Sequence, residues 1–407
     1  MIKKAVLPIV VLCLVSFPPA FSLDSPSGQS PAAEVYKTGP VRLLPDPSFG
    51  KTTDWNLLFY DLFCDLAVAP DGSIFVAGSR QHKIFKFDPQ GNLVKTFGQE
   101  GQGPGDFKYP DNLSVLDGKY LVVGEYATNR RISLFDLDGN FKQIVTTQRP
   151  AYYPVALREG KIAYISMSYM GEGPTSMKIV RSVVIRGIDG PRETRVAQYT
   201  FNWGGVMLRT GGSMSFSGGT TGGTFIAATK DGNLLVGNSL ETSLDVYSPA
   251  GVKLSSIDLG LEPIPVTKDY RGRYKEALVA GMRKDPRYAQ GLFKEQLKQV
   301  EEASIDHIFA DHLPLYREVL VDAEGNLLVF TKTECLSDCP ILIRAYSPEG
   351  KFLCETQIQE ESFGLTVDPR DKNMVFGSDG LIAMVEVKDA EDFALRLIKV
   401  NYGPPQR

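Results

Sequence analysis

The groups in this 407-residue chain that could do chemistry are three histidines, five cysteines and a set of polar residues at regular intervals. Metal-assisted hydrolysis or elimination needs several imidazole, thiolate or carboxylate ligands on one cation. His307 and His312 are five residues apart, about 140° around a continuous helix, so they meet one metal only if the helix ends between them. Cys335 and Cys339, followed by Cys354, lack the paired C-x2-C knuckles and the nearby histidine of a zinc site. Asp136-Leu137-Asp138-Gly139-Asn140 opens like a calcium loop but lacks the later bidentate acid, so it reads as a hairpin turn. There is no G-x-S-x-G elbow and no phosphate-cradling Walker loop. Gly101, Gly103 and Gly105 have the wrong spacing for a dinucleotide fingerprint, and no helix follows them. No catalytic residue is assigned. No cofactor is expected; calcium or zinc is the weaker alternative, and His307 and His312 are the candidate metal ligands.

The elements that would position such groups are written as a repeat. Six times a short apolar strand is followed by an acidic-Gly turn and then further strands. The copies run Asp65–Gly98, Asp111–Val145, Tyr153–Thr200, Thr224–Leu259, Arg317–Gln359 and Phe363–Asn401. In the first, Ala67–Ala69, Ile74–Val76 and Ile84–Phe87 read as strands, with turns at Asp71-Gly72 and Gln90-Gly91. Second strands rich in Ile, Val and Phe are buried on both faces. Four antiparallel strands cannot cover both faces alone, and radial stacking of the copies can. The expected fold is therefore all-β, a six-bladed β-propeller of four-stranded antiparallel blades over residues 64–402. Residues 23–63 form an N-terminal segment, in which Glu34–Asp46 can add a strand beside the last blade and close the ring.

A propeller usually binds its ligand at the channel mouth, where the inner strand of each blade starts. Those positions are Asp65, Asn112, Tyr153, Phe225, Arg317 and Phe363. An Asp, an Asn, an Arg and aromatic rings suit a polar ligand with an apolar part. The bland alternative is that they satisfy one another and water inside the channel.

Blade one carries Asp71-Gly72-Ser73-Ile74-Phe75-Val76, then Gln81-His82-Lys83-Ile84, then Asp88-Pro89-Gln90-Gly91-Asn92. This resembles the NHL repeat. Blade two echoes it with Asn129-Arg130-Arg131-Ile132 and the Asp136–Asn140 turn, and Gly98–Pro110 is similar to the joint between successive NHL blades. The resemblance covers residues 65–147 and weakens beyond. The whole chain, including His312–Phe330 ahead of and within blade five, resembles exported bacterial six-bladed propeller proteins. It implies a local hydrogen bond for His82. Some NHL-like propellers are zinc lyases with histidines at the channel mouth; this chain has no matching spread of histidines over several blades.

Two insertions interrupt the blades. Phe201–Gly223 has eight glycines and no acid. It reads either as a lid over one end of the channel, with Trp203 and Arg209 as ligand contacts, or as a surface loop. Residues 268–313, between blades four and five, read as two helices separated at Asp285-Pro286. Tyr274, Leu278 and Met282 form one apolar stripe, and Phe293, Leu297 and Val300 form another. The pair is expected to pack as a cap on one face of the ring, where it can also wall a ligand site.

Residues 1–22 read as a cleavable signal peptide: Lys3 and Lys4, a short apolar core, then Ala20-Phe21-Ser22. Export to the periplasm, the cell envelope or the extracellular space is expected, with no transmembrane segment after cleavage. Loss of the two lysines takes the net charge from −4 to −6. That acidic balance excludes a basic nucleic-acid footprint. In an oxidising compartment Cys335 and Cys339 make the simplest disulfide, Cys354 competes for it, and Cys64 is a buried thiol. The preferred function is non-catalytic binding of a protein, peptide or glycan by a monomer. The alternative is a metal-dependent lyase or hydrolase at the channel mouth.

Overall fold

Alternating apolar residues between Asp-Gly and Gly-Asn punctuation fold the chain into consecutive antiparallel hairpins. The computed structural model describes residues 42–46, 48–50, 65–125, 130–171, 177–207, 213–215, 221–331, 334, 341–358, 374–377, 380–386 and 395–403. The expected signal peptide, Cys64, Arg209, Cys335, Cys339 and Phe363 lie outside these residues.

Strand β1 (Arg42–Pro45) precedes the blades. Blade one is β2 (Leu66–Val68), β3 (Ile74–Gly78), β4 (Lys83–Phe87) and β5 (Leu93–Phe97). Blade two is β6 (Pro110–Leu116), β7 (Tyr120–Glu125), β8 (Arg131–Asp136) and β9 (Phe141–Thr146). Blade three is β10 (Tyr152–Ala156) with three strands of ten residues, β11 (Lys161–Met170), β12 (Lys178–Gly187) and β13 (Glu193–Asn202). A hairpin of β14 (Gly205–Met207) and β15 (Ser213–Ser215) lies inside the glycine-rich insertion. Blade four is β16 (Thr224–Ala228), β17 (Leu234–Asn238), β18 (Ser243–Tyr247) and β19 (Lys253–Asp258). Helices α1 (Lys268–Lys284) and α2 (Gly291–Glu302) follow, and then blade five: β20 (Tyr316–Val321), β21 (Leu327–Thr331), β22 (Ile341–Tyr346) and β23 (Phe352–Ile358).

The structure shows five blades of four consecutive strands, not the six read from the sequence. Where a sixth copy with four strands of its own was expected, three strands are described: β24 (Met374–Gly377), β25 (Gly380–Glu386) and β26 (Leu395–Gly403). The fourth strand of that sheet is β1, which pairs antiparallel along β26 from Arg42 opposite Gly403 to Pro45 opposite Val400. A distant segment of chain thus satisfies the outer edge of β26, which would otherwise present unpaired backbone groups.

Strands β3, β17 and β21 are buried along their whole length. The core lies in layers between neighbouring blades. Phe75, Ile84, Leu113 and Phe135 join blades one and two; Leu134, Ile162, Tyr164 and Val184 join two and three; Leu235, Tyr316 and Val329 join four and five. The first strands contact one another in chain order, β2 on β6, β6 on β10, β10 on β16 and β16 on β20, with β24 against β2. This is the radial arrangement that lets two-sided strands bury both faces.

The turns repeat one device. In Asp88–Asn92 and Asp136–Asn140 the aspartate accepts from the asparagine amide and side chain, while a glycine at positive φ closes the hairpin. Asp322–Asn326 does the same in blade five. Asp136–Asn140 is therefore a hairpin turn. Lys142 also donates to Asp136, at 2.8 Å. Burial opposes the charge on Asp136, but the hydrogen bonds from Lys142 and Asn140 outweigh it and hold the carboxyl well below the usual carboxylate range.

Because each blade alternates strand direction, three features share one face of the ring: the starts of the first strands, the second-to-third loops and the inter-blade linkers. The Asp-x-x-Gly-Asn turns occupy the other face. Every long insertion is therefore carried on the face where the first strands begin.

Candidate ligand-binding face

The first strands begin irregularly in three blades. One residue too many stands at Asp111 in β6 and at Arg317 in β20, and Tyr153-Pro154 oppose a single residue in β10. Such bulges bend the strand and re-aim the side chains beside them. Tyr153 sits in the left-handed region at φ 55°. Two of the sequence-predicted residues, Tyr153 and Arg317, are bulge residues, and Asn112 follows the bulge at Asp111. Asp65 is buried, with Oδ1 accepting from Leu66 N at 2.8 Å and Oδ2 from Leu113 N at 2.7 Å. Its carboxylate is thereby a tie between blades one and two. Phe225 packs on Tyr316, 5.6 Å between ring centroids. Asn112 and Trp203 are buried.

The insertions meet each other. Asn202 Nδ2 donates to the Phe309 carbonyl at 3.0 Å, and His307 Nε2 donates to the Gly205 carbonyl at 2.9 Å. His312 Nδ1 lies 2.8 Å from the Leu313 carbonyl. The helical insertion is pinched at its neck, where Leu313 N donates to Ile264 O and Val266 N to Asp311 O. Above the neck it has its own core of Val266, Tyr270, Ile308, Phe309 and Leu313. Thr267 caps α1, and a 3-10 turn at Pro286–Ala289 separates it from α2, as the Asp285-Pro286 break implies. Their buried faces differ in detail from the predicted stripes. Tyr270, Val279, Met282, Gln299 and Val300 are the buried residues, while Phe293 is exposed and packs edge-on to Tyr288. His82 makes the expected local hydrogen bond through its backbone N–H, which donates to Ser79 O, and its ring lies tilted against Tyr109, 5.1 Å between centroids. Among the described residues no three His, Cys, Asp or Glu side chains are placed to hold one metal ion.

Blade three adds a groove that the sequence reading missed. Ile162, Tyr164, Ser166 and Ser168 share one face of β11, and Val180, Ser182, Val184 and Arg186 share it on β12. A bulge at Val196 in β13 brings Glu193, Arg195 and Gln198 to that face as well. The lower part of the face is apolar and buried against blade two. Its upper part runs beyond the apolar contact and turns polar. A cavity of about 400 Å³ opens there, lined by Tyr164, Ser166, Ser168, Ser182, Glu193 and Arg195, among others, with Gln148 and Arg149 contributed by the preceding linker. Below it Arg186 is held by the carbonyls of Thr146, Gly187 and Gly190 and pairs with Glu193 at 3.5 Å. Glu193 Oε1 also accepts from Gln148 N at 2.9 Å, and Arg195 donates to Gln198 at 2.7 Å. Tyr164 is fully buried, and its hydroxyl has no hydrogen bond of normal geometry. Burial first, and the Glu193 carboxylate second, push its pKa far above the usual tyrosine range, so it stays a neutral donor. The signal in the sequence was the replacement of apolar residues by serine at alternate positions, Ser166 and Ser168, in a strand too long for a blade.

No protein-family model matches the chain. Over 128 residues it is 29% identical to the E3 ubiquitin-protein ligase NHLRC1 of Homo sapiens, covering 31% of this chain and 31% of that protein. Over 117 residues it is 32% identical to the peptidyl-alpha-hydroxyglycine alpha-amidating lyase 1 of Drosophila melanogaster, covering 26% of this chain and 21% of that protein. The chain thus spans less than a third of the length of each of these relatives. A solved structure of a member of the duf4221 family from Bacteroides vulgatus superposes with a TM-score of 0.51 at 10% identity, covering 91% of this chain and 100% of that one. At that identity the likeness is one of fold.

Proposed function

We propose that this protein is a non-catalytic, exported binding propeller. Its insertion-bearing face takes a protein, peptide or glycan, and the sheet of β1 and β24–β26 closes the ring beside blade one. The observation that carries this reading is the convergence of the insertions on one face, with the helical and glycine-rich insertions docked on each other through His307, Asn202 and Phe309. A scaffold alone needs no such elaboration on one side. The site comprises the strand starts at Asp65, Asn112, Tyr153, Phe225 and Arg317, walled by Trp203 and the helices; Arg209 and Phe363 belong to it by sequence position. Export is inferred from residues 1–22, and no described helix is long and apolar enough to cross a membrane.

The test is binding of the purified full chain to glycan and peptide arrays. Saturable binding to a member of either array is expected, lost in Tyr153→Ala and Arg317→Ala and kept in Asp231→Ala on the opposite face. Binding lost through Asp231 and indifferent to Tyr153 and Arg317 would overturn the reading.

A second reading, a metal-dependent lyase or hydrolase at the channel mouth, draws on the 117-residue similarity to the amidating lyase. Elemental analysis of the purified protein separates the two. About one tightly held metal per chain, lost on substituting His307, His312 or Asp65, would favour the enzyme.

A further inference from the structure

We infer that the blade-three groove binds a carboxylated sugar of mono- to disaccharide size. The inference deepens the binding reading above and rests on it. A cavity of about 400 Å³ suits a ligand of that size. Its lining has three kinds of polar group with distinct preferences. Ser166, Ser168 and Ser182 present hydroxyls on neighbouring strands of one sheet face, where they can bond separate hydroxyls of a sugar. Arg149 and Arg195 stand exposed at the rim, and guanidinium is the side chain best shaped to take a carboxylate through paired hydrogen bonds.

The third group, Glu193, is a carboxylate inside the groove and accepts from ligand hydroxyls. Its own charge is answered by Arg186 beneath and by the Gln148 amide, so it offers little to a ligand ammonium. That disfavours an amino acid or a peptide end. Tyr164 forms the enclosed floor of the groove, with its hydroxyl turned to Glu193. Val180 and Val184 supply the small apolar patch on which the C–H face of a sugar can rest.

The experiment is titration calorimetry of the full chain with D-glucuronate, D-glucose and the dipeptide glycyl-glycine. Saturable binding of glucuronate is expected, with glucose at least tenfold weaker. Arg195→Gln should lower glucuronate affinity about tenfold, and Ser182→Ala several-fold, with thermal midpoints equal to the parent. Equal binding of glucose and glucuronate, an unchanged affinity in Arg195→Gln, or no heat of binding in a protein with the parent's melting point would overturn the inference. Glycyl-glycine binding that falls with Arg195→Gln would overturn it in favour of a peptide. If the arrays yield a ligand sensitive to Tyr153 and Arg317 while glucuronate does not bind, this inference fails alone and the binding face stands.

Discussion

Blades two and three each bury an arginine–glutamate pair, and the two pairs do different things. In blade two Arg131 Nε meets Glu125 at 2.5 Å, while its other nitrogens donate to the carbonyls of Gln102 and Asp106. The second oxygen of Glu125 accepts from Lys108 N at 2.8 Å. All the strong groups of the pair are engaged, and what they hold is the glycine-rich linker from blade one. In blade three Arg186 is also fixed by carbonyls, but its glutamate borders a groove lined with serines, glutamines and a buried tyrosine hydroxyl. The difference teaches how one repeat serves two ends. A closed cluster of charges fastens a joint, and an open one borders a hydroxyl-lined groove.

The sharpest way to break the comparison is to cut the closed pair. Removing one partner of a buried pair leaves the other charge unanswered, so Glu125→Ala or Arg131→Ala is expected to cost about 3–5 kcal/mol of unfolding free energy. Urea denaturation followed by fluorescence measures it. A loss under 1 kcal/mol would mean that the joint is held by packing alone. Gly98→Ala attacks the same joint from the backbone. Gly98 has φ 89°, and a methyl group there would lie 2.3 Å from the buried Phe107 ring. Strain and overpacking together predict a loss of about 2–4 kcal/mol, read from the same denaturation curves.

Much of this architecture is legible in the sequence. Asp-Gly and Asp-x-x-Gly-Asn turns have local mechanisms, and the apolar second strands have local composition, so blades one to five are readable where they stand. The last sheet's fourth strand is legible as one of two options: Glu34–Asp46 can add a closing strand, and β1 within it pairs with β26, but the sixth copy also reads as carrying four strands of its own. Of the candidate face, the strand starts Tyr153 and Arg317 are legible, but the bulges at which they sit depend on register between strands. Asp65 has the right type for a ligand contact and proves to be taken up by two backbone amides. The blade-three groove depends on a bulge at Val196 and on strands that outrun their neighbour, neither of which a single strand announces.

A smaller effect separates the turns from the site. Asp136 has its pKa lowered in the folded state, so its contribution to stability is complete above the unfolded value of about 4 and is lost as pH falls through the folded value below it. Asp136→Asn should therefore be less stable than the parent at pH 7, by about 1 kcal/mol. The gap should narrow as pH drops below about 4. Thermal melts of the two proteins from pH 7 to pH 2 test this, and a gap independent of pH would show that the carboxylate charge contributes nothing.

The finest test returns to the two blades. Ser168 lines the groove on the part of β11 that extends past blade two, is not fully buried, and faces the cavity rather than a core layer. Ser114, in blade two, is its counterpart as a serine in a strand, yet its hydroxyl accepts from Ala156 N at 3.0 Å and thereby ties blade two to blade three. Ser168→Ala is expected to change stability by less than about 0.5 kcal/mol, because it removes a hydroxyl that faces open space. Ser114→Ala should cost about 1 kcal/mol, because it leaves the Ala156 amide without its acceptor. Parallel denaturation of the two variants decides the point. If Ser168→Ala proves the costlier, the groove is part of the framework that holds blades two and three together, and the distinction between a fastening and a site does not apply to blade three.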